Sequence, residues 1–86
     1  MKIEHINNNG KEYINVFADK STSNGSLRFG HEISVNFLKE KDELIFESAW
    51  HCGVSEMEWD SSDESSFEET FPGLLNEMRS EIDKDI

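Results

Sequence analysis

The chain has 86 residues, room for one domain, and carries 19 Asp and Glu against 8 Lys and Arg, for a formal net charge of -11. Such a charge repels polyanions, so direct nucleic-acid binding is excluded and an anionic membrane surface is disfavoured. Hydrophobic residues are 35% of the chain, so the core is small, but their periodicity excludes a disordered acidic tail.

Residues 2–6 read as a short strand. Asn7-Asn8-Asn9-Gly10 follows, and Asn-Gly favours a two-residue hairpin turn because both residues tolerate positive φ. Lys11 to Ala18 is the return strand, with Ile14, Val16 and Ala18 on one face and Tyr13 and Phe17 on the other. Asp19 to Gly25 is polar, ends in a second Asn-Gly and reads as a loop. Leu27, Phe29, Ile33, Val35 and Phe37 then alternate with polar residues, the pattern of a half-buried strand in which Gly30 marks a bend. Lys39 to Asp42 is a charged hairpin connection. Leu44, Phe46, Trp50, Cys52 and Val54 fall on even positions and predict a fourth strand with those side chains inward and Gly53 near its end. Met57 and Trp59 alternate again, so Ser55 to Asp60 is a candidate fifth strand.

The period changes in the last third. Phe67, Phe71, Leu74, Leu75, Met78 and Ile82 recur every three or four residues, placing them on one helical face. Ser65 with Glu68 matches a capping box, and Ser62 is the alternative cap. Pro72-Gly73 cannot sit inside a regular helix, so the helix is expected to kink there or to break after Thr70. The predicted fold is α+β: a four- to five-stranded antiparallel meander with a C-terminal helix packed on one face. Within it, 1–54 is a β-rich sheet, 55–66 an acidic connection and 67–84 the amphipathic helix.

Motifs for chemistry are missing. His51 and Cys52 are neighbours on a strand and point to opposite faces, so they form neither a dyad nor a chelate, and Cys52 is expected to be buried. No Cys-x-x-Cys or His-x-x-x-His spacing supports a metal site, and Asp60-Ser61-Ser62-Asp63-Glu64 lacks the alternating ligands and central glycine of a calcium loop. There is no nucleophile elbow or phosphate-cradling loop. No catalytic residue, metal or cofactor is expected, and the protein is read as a non-enzyme. A single cysteine, no apolar run near Met1 long enough for a signal peptide and no membrane-length segment point to the cytoplasm.

The acid is unevenly placed. Residues 1–54 hold eight acids and six bases, whereas residues 55–86 hold eleven acids and only Arg79 and Lys84. Between Glu56 and Glu69 there is no base at all. Acidic runs are often solvated faces, but a surface normally mixes signs, and this run has a large aromatic in its middle. The candidate partner-binding residues are therefore Glu56, Met57, Glu58, Trp59, Asp60, Asp63, Glu64, Glu68 and Glu69, with Trp59 as the apolar anchor.

In size, acidity and want of catalytic motif the chain resembles the small immunity proteins that bacteria pair with nuclease toxins. It is similar in kind to phage-encoded anti-restriction and anti-CRISPR nucleic-acid mimics. The resemblance implies an inhibitory protein whose carboxylates stand in for phosphates in the cleft of a basic enzyme, most simply a nuclease toxin. The alternatives are the phage mimic, which shares the mechanism, and a non-inhibitory adaptor for a basic surface.

Overall fold

The computed structural model describes residues 1–19, 32–52 and 57–84. Strand β1 (Lys2–Asn8) turns through Asn9 and Gly10 into β2 (Lys11–Asp19). Both turn residues have positive φ, 54° and 79°, the geometry that matches a two-residue turn to the strand twist. Strand β3 (Glu32–Glu40) joins β4 (Glu43–Cys52) through Lys41, also at positive φ, and Asp42. Strand β5 (Met57–Trp59) pairs with the end of β4. The sheet is an antiparallel meander in the order β1-β2-β3-β4-β5, as the alternation predicts. Asp19, expected to open a loop, instead ends β2 paired with Glu32. The rest of that expected loop up to Gly25, Leu27 and Phe29, the bend at Gly30, and Gly53 and Val54 lie outside the described residues, as does the side chain of Cys52.

One sheet face is covered. A 3-10 turn (Ser61–Asp63) leads into helix α1 (Glu64–Thr70), and after Phe71 to Gly73 comes helix α2 (Leu74–Lys84). The helical stripe is buried as its spacing requires: Phe67, Phe71, Leu74, Leu75, Met78 and Ile82 join Ile14, Val16, Ile33, Val35, Phe37 and Phe46 in one core. Two helices, and not one bent rod, span 64–84. Pro72 has no N–H to give, and Gly73 at φ 80° redirects the chain. The break is held by the Glu68 carboxylate, which accepts the Gly73 N–H at 2.7 Å. Arg79 ties α2 to the sheet, donating through Nε and Nη2 to the Leu44 carbonyl, both at 3.3 Å, with its guanidinium 5.3 Å from the Phe37 ring centre. No helix among the described residues is long and apolar enough to cross a membrane.

Two sequence expectations are corrected here. The first is the facing of β4. Phe37 pairs with Phe46, but Asn36 pairs with Ser48, so Glu47 is an extra residue in the strand. A bulge of this kind reverses the facing of everything beyond it. Leu44 and Phe46 point to the helices as expected, but from there Ala49 and His51 are the buried residues. Trp50 passes to the other face, where it is half-buried opposite Ser34 and Glu58. The second correction is the helix cap. Neither Ser65 nor Ser62 serves. Asp60 caps the 3-10 turn, and that turn runs straight into α1.

The outer face of the sheet carries three cross-strand rows. Ile6, Tyr13, Leu38 and Ile45 form an apolar row across β1 to β4. Glu4, Asn15, Asn36 and Ser48 form a polar one. Lys2, Phe17, Ser34, Trp50 and Glu58 complete the set and reach β5. Ser34 donates from its hydroxyl to Asn15 Oδ1 at 2.9 Å, linking the last two rows.

Candidate partner-binding surface

The acidic run does not lie on one element. Glu58 is on the outer face of β5, Asp60 and Asp63 are in the turn at the sheet edge, and Glu64, Glu68 and Glu69 are on α1 in the helical layer. The acids therefore wrap round the β5 edge, from one layer to the other. Glu58, Asp60, Glu64 and Glu69 are exposed, and Asp63 and Glu68 are half-buried. Glu56 lies outside the described residues.

Local hydrogen bonding fixes much of this edge. Asp60 Oδ1 accepts the Ser62 N–H at 3.0 Å and the Ser62 hydroxyl at 2.6 Å, and Asp63 Oδ2 accepts the Asp60 N–H at 3.2 Å. This reciprocal arrangement is a capping box built from two aspartates. The Ser62 hydroxyl first, and then the Ser62 N–H, hold the Asp60 carboxyl below its ordinary range, with a smaller contribution from Asp63. Asp60 thus stays ionised further into acid than a free aspartate. Glu64 sits 3.4 Å from the Arg79 guanidinium, and Glu68 closes the helix break. Glu58 and Glu69 form no ion pair among the described residues, so their charges have no fold-building use there.

Trp59 is corrected as an exposed anchor. It is only 6% exposed, on the helix side of the sheet. Its cross-strand neighbour is the small Ala49, which leaves room for the indole. The ring packs edge-on against Phe67 at 5.1 Å and Phe71 at 5.9 Å. Met57, on the same face two residues earlier, is 40% exposed. The tryptophan that does reach the surface beside the acids is Trp50. Its position depends on the bulge at Glu47, which even-odd counting does not reveal. His51 packs 5.4 Å from Phe71 in the core and His5 is exposed on β1, so these two are not gathered, and His31 lies outside the described residues. Among the described residues no group of three His, Cys, Asp or Glu is placed to hold a metal ion.

Comparison of the chain with protein-family models, with curated proteins and with solved structures returns no match.

Proposed function

We propose that this protein is an inhibitory binding protein that lays the acids of its β5 edge into the nucleic-acid-binding cleft of a basic enzyme. The partner that fits best is a nuclease toxin, which makes this chain a cytoplasmic immunity protein. The observation that carries the reading is the fixed placement of the carboxylates. Asp60, Asp63 and Glu68 each accept a backbone N–H, and Glu64 is paired with Arg79. A row of anions already held in place loses little freedom when basic side chains close on it. Attraction at long range speeds encounter, which suits the neutralisation of a toxin. A phage-encoded anti-restriction or anti-CRISPR mimic would use the same surface and differ only in its partner.

The test uses Glu58 and Glu69, because reversing Asp60 or Asp63 would also remove the cap. The tagged domain is used to capture its partner from the native host, and the partner's nuclease activity is measured with and without the domain. The double variant Glu58→Lys, Glu69→Lys is expected to keep its circular dichroism spectrum and to bind at least about tenfold more weakly, in line with the loss of charge pairs at an interface. Unchanged affinity would remove the acidic edge as the interface. A captured partner that is saturated yet fully active would make the protein an adaptor.

A further inference from the structure

The outer face of the sheet carries a cleft of about 480 Å³ beside the acidic edge. Trp50, Asn36 and Ser48 line it on the sheet side, and Glu58, Asp60 and Asp63 line it on the edge side. Among the described residues, no lysine or arginine contributes to its wall. Asn36 brings an unusual feature: its Oδ1 is shielded from solvent and accepts no hydrogen bond among the described residues. An acceptor left without a donor among the described residues is costly, and rotation of the Asn36 amide toward the cleft would let the N–H groups of a ligand satisfy it.

We infer that this cleft receives an arginine side chain of the partner, with the guanidinium lying on the Trp50 indole and its N–H groups directed at Glu58 and the Asp60–Asp63 turn. The inference rests on the reading of the acidic edge as an interface, and it names the chemistry of that interface. Three features select a guanidinium. The first is the half-buried Trp50 indole in the cleft wall, a flat π-system suited to a flat cation. The second is the set of carboxylates on one side only, which matches the fork of guanidinium donors and allows bidentate pairing. The third is the neutral amide and hydroxyl row on the opposite wall, which supplies further acceptors without further charge. A lysine ammonium is a compact, strongly hydrated charge that gains less from the indole and cannot span two acceptor walls. A phosphate or nucleobase ligand is disfavoured by the carboxylates. Trp50 is thus the aromatic anchor of the surface, whereas Trp59 belongs to the core.

Hexa-arginine and hexa-lysine peptides of equal charge are the probes. Their affinities are measured by calorimetry, and the Trp50 indole Nε1–H resonance, assigned by its loss in Trp50→Phe, is followed by NMR. Hexa-arginine is expected to bind roughly three- to tenfold more tightly than hexa-lysine, as a partly desolvated cation–π contact would give, and to shift the Trp50 indole. Trp50→Ala should bring that ratio to about one while salt-sensitive binding of both peptides persists. Glu58→Gln, at an exposed position, should weaken hexa-arginine binding and shrink the indole shift without touching the fold. Glu69→Lys, outside the cleft, should weaken both peptides alike and leave their ratio unchanged. Equal affinity for the two peptides in the wild type, or a ratio that survives Trp50→Ala, would overturn the cleft. Failure of the broader reading shows elsewhere, in a captured partner that ignores the Glu58 and Glu69 reversals.

Discussion

Two tryptophans with opposite duties show how much one residue's facing decides. Trp59 is enclosed by Phe67, Phe71 and the helix-side face of the sheet, and Trp50 is half-buried on the outer face. Trp59→Ala would empty the centre of the aromatic cluster and is expected to destabilise the domain by about 3–5 kcal/mol. Trp50→Ala removes a partly solvated side chain and should cost about 1 kcal/mol. Urea unfolding of the two variants measures the difference, and equal losses would place both indoles in the core. Asp60 makes a separate prediction from pH. Its folded pKa is depressed, so its contribution to stability is complete above the ordinary aspartate value of 3.8 and is lost as pH falls through the lower folded value. The carboxyl resonance of Asp60 should therefore titrate below 3.8, and Ser62→Ala should move it back toward that value, since the Ser62 hydroxyl is the largest cause. An Asp60 midpoint at 3.8 in the wild type would contradict the cap. The sequence signals for that cap were ambiguous for a physical reason: Asp60, Ser62 and Ser65 are all competent cap residues. Only the 3-10 turn, which starts the helical segment early, selects the first.

Among the elements, β2 and β3 were readable because their alternation is unbroken, and the first hairpin because Asn-Gly has one favoured turn geometry. The helical stripe was readable for the same reason, and Pro72-Gly73 announced its interruption. β4 was readable as a strand, but its facing beyond Glu47 was not, because a bulge adds a residue without any compositional mark. Its polar and apolar residues fit either facing: Ala49 is small enough for both, and Trp50 suits an inward or an outward position. The legible part of the candidate site was its acidity. The illegible part was which aromatic accompanies it, since that choice hangs on Glu47. Deletion of Glu47 would restore strict pairing across β3 and β4 and force one half of β4 to face the wrong way. Either Phe46 and Leu44 or Ala49 and His51 would leave the core. The deletion is expected to abolish cooperative thermal unfolding, followed by circular dichroism. Glu47→Ala keeps the residue count and should stay within about 0.5 kcal/mol of the wild type. A deletion variant that melts like the wild type would show that the bulge does not set the facing.

Across the whole molecule, the densest acid and the fewest bases fall at one edge. β1 and β5 lie at opposite ends of the sheet, four strand spacings or about 19 Å apart. That separation exceeds the Debye length of about 8 Å at physiological ionic strength, so the acids at β5 act on each other and on a partner, and hardly on the β1 side. The same carboxylates then carry two effects of opposite sign. In the free domain they repel one another, with Arg79 as the near counter-charge, and this repulsion opposes folding. Against a basic partner they attract. Added salt screens both. Raising sodium chloride from about 0.02 to about 0.2 M, which shortens the Debye length severalfold, is expected to raise the melting temperature of the free domain. The same change should weaken the captured complex, mainly through slower association. Glu69→Gln should act in the same two directions at fixed salt, since Glu69 makes no ion pair among the described residues. A merely solvated acidic face predicts the first response without the second. Salt-independent affinity alongside salt-stabilised folding would therefore leave the edge as a solubility device, whereas opposite responses follow from an edge whose stored repulsion is relieved by its partner.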